Sequence, residues 1–202
     1  MDAIERAKRR ILEVVAGSDV PEDFPHAKDT LSWVLRLDSS AGAPLQLAAL
    51  GHDIERAVRE RKVSRANYPD YDAFKAAHAR NGAVILLEIL ESCGVAPSIA
   101  EEAGRLVTVH EVGGDPQADL LRDADSISYF KVNLPYYFQR EGWDETKRRS
   151  VWGYRRLSPA GRRIARSLAY QQDELNRLLR QAIEEAEKPM MPSALSGSAE
   201  VN

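Results

Sequence analysis

The four histidines of this chain fall into one ordered series with two aspartates. The series runs His26, then the adjacent pair His52 and Asp53, then His78, His110 and Asp125. Imidazole nitrogens and carboxylate oxygens are ligands of divalent ions, and a site needs several of them around one point. The series therefore predicts a buried site for one or two divalent metal ions. These ligand types leave Mn, Fe, Zn, Ni and Mg as candidate ions.

A bound divalent ion would supply hydrolytic chemistry, because it lowers the pKa of water from about 15.7 to about 7 and draws charge off a phosphoryl oxygen. A protein carboxylate must then act as the acid or base that accepts and donates the proton. Glu55 is the nearest by sequence, three residues after His52 on what we expect to be the same helix, and an exposed charged helix face is its competing interpretation. Glu111, next to His110, is the alternative. We expect Asp53 and Glu55 to be catalytic.

Helical periodicity dominates the sequence, and no clean period-two alternation of five or more residues stands out. The apolar stripes and the start and stop signals predict helices over about 3–15, 25–37, 44 onward, 73–92, 97–110, 115 onward and 158–187. The candidate ligands lie mostly near the ends of these helices and face one interior. The expected fold is an all-α, single helical bundle with a C-terminal helical extension.

Composition sets the number of domains. A chain of 202 residues with 44% hydrophobic and 29% charged residues can bury one sizeable core. We expect one domain over 1–188 and a disordered tail over 189–202, which is rich in Ser, Pro and Ala. No apolar run approaches the roughly 18 residues of a spanning helix, so we expect a cytoplasmic protein without a membrane partner. The net charge of −3 predicts no general attraction to nucleic acid.

Local context around the ligands carries a family resemblance. The segment Leu47–Ile54, which contains Gly51-His52-Asp53, resembles the motif of the histidine-aspartate (HD) domain superfamily of metal-dependent phosphohydrolases. His26 opens an amphipathic helix as in that superfamily, and Leu121–Ile127 is similar to its closing aspartate motif. The resemblance covers about residues 20–135. Within the superfamily the chain looks like an uncharacterised subfamily, which implies no substrate.

The resemblance implies an HD-like helical fold and a ligand set. It implies that one ion is held by His26, His52, Asp53 and Asp125. His78 and His110 match the two extra histidines of binuclear members, in which Asp53 bridges the ions.

The choice between Asp123 and Asp125 depends on this resemblance. Residues two apart on a helix point about 200° apart, so only one of these side chains can face the site. Each aspartate shares a face with apolar residues, and periodicity does not choose between them. The motif selects Asp125.

Basic residues are concentrated after the ligand series. Residues 147–170 hold eight Lys and Arg and no Asp or Glu. A positive lip that admits a phosphorylated metabolite or nucleotide is one interpretation, and a solvated basic surface is the other. Trp143 and Trp152 could stack a base or pack into the core. The predicted substrate contacts are Lys75, Arg80, Lys131, Arg155 and Arg156.

We therefore expect a metal-dependent phosphohydrolase that cleaves a phosphoester of a nucleotide or small phosphorylated metabolite with a metal-activated water. Two alternatives stay open. A mixed-valent diiron oxygenase of the same superfamily uses the same ligand order. A non-catalytic module could bind a metal or a nucleotide and report it to a partner.

Overall fold

The structure is a computed structural model that describes residues 2–189. This part of the chain is helical and contains no strand, which confirms the predicted all-α bundle. The α-helices are α1 (Ala3–Val15), α2 (Asp23–Leu37), α3 (Ala43–Gly51), α4 (Tyr71–Ser92), α5 (Pro97–Val109), α6 (Pro116–Ser128), α7 (Leu134–Arg156), α8 (Pro159–Ser167) and α9 (Asp173–Glu187). Residues 190–202 of the predicted tail lie outside the described residues.

Helix α3 is the central element of the bundle. Its sequence is apolar on every side, and Leu45 and Leu47–Gly51 are buried. A helix that is apolar all round is stable only when neighbours cover every face. Here α1, α2, α5 and α6 all contact it. The C-terminal end of α3, which leads into His52 and Asp53, therefore lies inside the molecule.

Two helix pairs flank α3, since α2 packs on α6 and α4 packs on α5. The start of α6 follows the predicted signal, because Asp115 accepts hydrogen bonds from the backbone N–H groups of Gln117 and Ala118, and Pro116 is the first helical residue. At Gly51 a methyl group would lie 2.8 Å from Leu86 Cδ1, so α3 approaches α4 closely at this residue. This approach brings His52 towards α4.

The C-terminal helices form a second apolar cluster with the end of α6. The predicted single helix over 158–187 is wrong, because α8 ends at Ser167 and α9 begins at Asp173. The Asn176 side chain accepts from the backbone N–H of Tyr170 and donates to its carbonyl, and the Tyr170 hydroxyl donates to the carbonyl of Phe130. These contacts hold the connection in a non-helical conformation and fold α9 back onto α7.

No helix in the described residues is long and apolar enough to cross a membrane.

Candidate metal centre

Three side chains from α2, the end of α3 and α6 converge on one point, and we call them the first ligand group: His26, His52 and Asp125. His26 Nε2 lies 3.1 Å from His52 Nε2 and 3.2 Å from Asp125 Oδ1. His52 Nε2 lies 3.5 Å from the same carboxylate oxygen. Both imidazoles are buried. The three donor atoms thus surround a single position inside the protein.

Asp53, His78 and His110 form the second ligand group. Their donor atoms lie within 4.8 Å of one another. Asp53 Oδ1 is 2.9 Å from His78 Nε2, whereas Asp53 Oδ2 is 3.8 Å from His26 Nε2 and 3.7 Å from His52 Nε2. The two oxygens of Asp53 therefore face different groups, and this carboxylate lies between them.

Backbone carbonyls orient two of the imidazoles. His52 Nδ1 donates to the carbonyl of Ala49 at 3.0 Å, and His110 Nδ1 donates to the carbonyl of Val107 at 2.6 Å. A carbonyl oxygen can only accept, so Nδ1 carries the hydrogen and Nε2 is the bare nitrogen of the neutral ring. Each histidine follows the last residue of its helix, where the final carbonyls have no helical partner. The helix ends thereby direct both Nε2 lone pairs into the site.

Side chains orient the other two imidazoles. His26 Nδ1 lies 2.9 Å from Ser128 Oγ, which itself donates to the carbonyl of His26, so the serine oxygen accepts from the ring. His78 Nδ1 donates to Glu55 Oε2 at 2.7 Å. All four histidines therefore present Nε2 to the site and hold a partner at Nδ1, the usual arrangement around a protein-bound metal.

The donor atoms of the first ligand group fit a metal ion. Two donors that hold one tetrahedral ion at about 2.1 Å lie roughly 3.4 Å apart, and the observed separations are 3.1 to 3.5 Å. In the second ligand group, His110 Nε2 is buried and has no hydrogen-bond partner in the described part of the chain. Buried polar atoms without partners are rare in proteins. A cation between the groups would supply the missing partner.

The electrostatics also favour a cation. Burial lowers the pKa of His52, but Asp53 and Asp125 outweigh it and raise that pKa to about 9. Burial disfavours the charged form of Asp53, yet Arg56 and His52 hold the pKa of this carboxyl well below its usual range. Burial acts likewise on Asp125, whose pKa is held well below its usual range by His26 and His52. Carboxylates that favour a proton on an imidazole also favour a metal ion at that nitrogen.

Glu55 occupies a different place from the one predicted. Helix α3 ends at Gly51 and Glu55 lies in a separate 3₁₀ turn, Ile54–Ala57, so the expectation that it shares a helix with His52 is wrong. The competing interpretation, an exposed charged face, is also wrong, since Glu55 is 1% exposed. One carboxylate oxygen accepts from His78 and the other from the backbone N–H of Val63. Glu55 lines the cavity and holds His78 in place.

The structure separates the two aspartates of α6. Asp125 faces the first ligand group. Asp123 is buried on the other side of the helix, where it accepts from the backbone N–H of Ser158 at 2.9 Å and from the Ser158 hydroxyl. Asp123 therefore anchors the start of α8 and not the candidate metal centre.

A cavity of about 240 Å³ opens beside the ligands. Among the predicted substrate contacts, Lys75 lines it, and Arg156 lies 3.0 Å from Glu111 Oε2 and 3.6 Å from Asp125 Oδ2. The other three lie elsewhere. Arg80 is exposed, Lys131 pairs with Asp29, and Arg155 hydrogen-bonds to carbonyls near the end of α9.

Glu111, the alternative proton carrier, is held between cations. It is 9% exposed, pairs with Lys75 through one oxygen and with Arg156 through the other, and lies 3.2 Å from His110 Nε2. Burial raises the pKa of Glu111, but Lys75, His110 and Arg156 hold it well below its usual range. Glu111 is thus a charged carboxylate that offers a further ligand atom, with His110 and Asp125.

The predicted substrate contacts do not include four cations that line the cavity: Arg56, Lys62, Arg140 and Arg149. Arg56 contacts Asp53 Oδ2 at 3.0 Å and Asp23 Oδ1 at 3.4 Å. Arg149 lines the cavity between aromatic rings and donates to the hydroxyl of Tyr71 at 2.8 Å. Arg149 belongs to the predicted basic stretch, but the spacing of eight basic residues does not show which of them points inward.

The two tryptophans take part in packing. The Trp152 ring lies 4.3 Å from the guanidinium carbon of Arg149 and 4.2 Å from that of Arg156. Trp143 packs on Phe138 and Arg177. Trp152 therefore stacks on cations that reach the site, and Trp143 belongs to the C-terminal cluster.

Fold and site together define an all-α protein with histidine and aspartate groups that could hold a metal ion. The family model described as "Domain of unknown function (DUF4202)" matches residues 2–179. This match spans most of the chain, and the protein belongs to that family. A search of curated proteins and a search of solved structures each found no match.

Proposed function

We propose that this protein is a metal-dependent phosphohydrolase of the HD superfamily type, which cleaves a phosphoester of a nucleotide or small phosphorylated metabolite. The observation that carries the proposal is the pair of ligand groups joined by Asp53 at the wall of a cavity that also contains Arg149. The order and sequence context of the ligands support the same assignment.

Arg149 is the feature that favours a phosphorylated substrate. Three other cations near the ligands are paired with carboxylates: Arg56 with Asp53, Lys75 with Glu111, and Arg156 with Glu111. Within the described residues Arg149 has no carboxylate within ion-pair distance, and its contacts are the Tyr71 hydroxyl and aromatic faces. A guanidinium that lines a cavity and has no carboxylate within ion-pair distance is suited to bind a phosphoryl group through paired N–H donors.

Each residue of the site has its own role in the proposed hydrolysis. His26, His52, Asp53, Asp125, His78 and His110 would hold one or two divalent ions, which would activate water and withdraw charge from a phosphoryl oxygen. Arg149 binds the phosphoryl oxygens and stabilises the charge that they gain. Trp152 fixes the Arg149 side chain by stacking on it. Glu55 holds the ring of His78, Asp53 joins the two ligand groups, and we assign proton transfer to Glu111 beside His110.

The test is phosphate release by protein loaded separately with Mn²⁺, Fe²⁺, Ni²⁺, Zn²⁺ or Mg²⁺, on p-nitrophenyl phosphate and a panel of nucleotides and sugar phosphates. We expect release with at least one ion and its loss with EDTA. Arg149→Ala should lower kcat/KM by at least about tenfold, since one lost donor to a developing oxyanion costs 10²- to 10³-fold in the best-studied cases.

Arg148→Ala is the matched control. Arg148 is the exposed neighbour of Arg149 and pairs with Glu145, so this variant should keep the wild-type kcat/KM. Equal effects of the two substitutions would contradict the role of Arg149. Oxygen uptake by the iron-loaded protein without any phosphate release would replace the hydrolase proposal with the oxygenase.

A further inference from the structure

Two buried acceptor atoms in the wall of the cavity have no donor. Glu22 Oε2 and Asn133 Oδ1 make no hydrogen bond in the described part of the chain. Their residues are only 2% and 6% exposed, and both line the cavity. Buried polar atoms in proteins nearly always have a partner. A partner must therefore come from the cavity itself, from water or from a ligand that replaces it.

The helices that carry the first ligand group also fix the positions of both acceptors. Glu22 precedes His26 by one turn, and the His26 backbone N–H donates to the Glu22 carbonyl at 2.9 Å. Side chains at this spacing are neighbours, with Cβ atoms about 5–6 Å apart. The Glu22 carboxylate thus lies one turn from the ligand position.

Asn133 lies beyond Asp125 along the same continuous stretch of helix. The backbone widens there into a π-helical turn, Tyr129–Asn133, which packs against α2. Such turns are uncommon and are found frequently at functional sites. Asn133, at the end of the π turn, lines the same cavity as Glu22.

Charge identifies the kind of donor that fits. Glu22 Oε1 accepts from Arg140 Nη2 at 2.9 Å, so the charge of the carboxylate is already balanced. The Arg140 guanidinium lies 5.4 Å from the centre of the Tyr137 ring, which holds it beside Glu22. The remaining acceptors therefore need uncharged donors, and a pair of hydroxyl groups meets this need better than an ammonium group.

We propose that Glu22 and Asn133 form a hydroxyl-binding subsite, and that the substrate is a phosphomonoester of a polyhydroxylated molecule such as a sugar. The inference rests on the proposed function, because it places the phosphoryl group at the metal ligands and Arg149. The sugar hydroxyls then donate to Glu22 Oε2 and Asn133 Oδ1.

The experiment compares two probes that differ only in hydroxyl groups, ribose 5-phosphate and tetrahydrofurfuryl phosphate. Binding to the metal-loaded protein is measured by calorimetry, and phosphate release is measured separately. We expect the wild type to bind ribose 5-phosphate at least about tenfold more tightly, because a hydrogen bond to a buried charged acceptor is lost with the other probe. In Glu22→Gln and Asn133→Ala the ratio of the two affinities should fall towards one.

Glu88→Gln is the control for loss of an arginine-paired carboxylate, since Glu88 pairs with Arg61 outside the cavity, and it should keep the wild-type ratio. Thermal unfolding checks that each variant is folded. Equal binding of the two probes by the wild type would overturn the subsite, even if both were hydrolysed. Preferential binding of ribose 5-phosphate that is lost in Glu22→Gln, without phosphate release under any metal, would retain the subsite and reject the hydrolase.

Discussion

The two ligand groups differ in what lies behind their histidines. In the first ligand group the Nδ1 atoms of His26 and His52 donate to uncharged acceptors, a serine hydroxyl and a backbone carbonyl. In the second ligand group His78 donates to the Glu55 carboxylate. A carboxylate behind an imidazole makes its other nitrogen a stronger ligand. The comparison predicts that these neighbouring groups, built from the same residue types, would bind ions with different strength.

The donor atoms of the two groups are also arranged differently. The first ligand group is compact, with separations of 3.1 to 3.5 Å among its three donors. The second ligand group shares Asp53 with the positive charge of Arg56, whose Nη1 lies 3.0 Å from Asp53 Oδ2. We therefore expect the first ligand group to bind its ion without the second, whereas the ion of the second group depends on Glu55 and Asp53.

The largest effect is expected from Asp125→Asn. Removing the charge of the carboxylate that faces both histidines should weaken binding at the first ligand group by at least about a hundredfold, the upper end of what loss of an outer partner costs. Mn²⁺ titration calorimetry measures this. Asp123→Asn, two residues away, is the matched control. It should leave metal affinity unchanged and lower stability by about 1 kcal/mol through the weakened anchor at Ser158. Equal losses of affinity in the two variants would contradict the assignment.

His78→Ala separates the two groups. It should remove the ion of the second ligand group and leave the ion at His26, His52 and Asp125, so bound metal falls from two ions per chain to one. Metal content by inductively coupled plasma mass spectrometry counts the ions. Loss of both ions in a folded variant would show that the groups do not bind independently.

Glu55→Gln tests the carboxylate behind His78. Gln keeps an oxygen for the His78 Nδ1 hydrogen but removes the charge, and outer partners of this kind typically contribute 10- to 100-fold in metal affinity. We expect a loss of about tenfold at the second ligand group and none at the first. Glu60→Gln, at an exposed position in the next 3₁₀ turn, should have no effect. Unchanged affinity in Glu55→Gln would remove the distinction between the groups.

The smallest effect is expected from Ser128→Ala. It deletes the uncharged partner of His26 Nδ1, and the loss of one neutral hydrogen bond of about 1 kcal/mol corresponds to roughly fivefold in affinity. The same calorimetric titration measures it. A larger loss here than in Glu55→Gln would contradict the expectation that a charged partner behind an imidazole contributes more to metal affinity than an uncharged one.

Local signals in the sequence were sufficient for much of the fold. The cap and first-turn proline at Asp115 and Pro116 predicted the start of α6, and α1 has the predicted bounds. The break between α8 and α9 was not predictable in this way, because residues 168–172 contain neither Gly nor Pro. The hydrogen bond from the Tyr170 hydroxyl to the carbonyl of Phe130, forty residues away in sequence, holds that break together with the local contact to Asn176.

Local sequence signals were also insufficient to predict all of the candidate site. Periodicity could not separate Asp123 from Asp125 because both are used inside the molecule, one as an anchor for α8 and one at the histidines. The end of α3 before Glu55 and the inward direction of Arg149 also depend on packing between distant segments. The buried acceptor Glu22 carried no local signal, since a glutamate before a helix is ordinary at a helix start.

The number of metal ions bound per chain tests the central claim most directly. Purified protein is incubated in turn with Mn²⁺, Fe²⁺, Ni²⁺ and Zn²⁺, freed of excess ion, and analysed by inductively coupled plasma mass spectrometry beside His52→Ala. We predict two ions per wild-type chain with at least one of these metals, and about one in the variant, which keeps the second ligand group. A wild-type chain that binds none of them, or a folded His52→Ala protein with the wild-type content, would contradict the assignment of a metal centre.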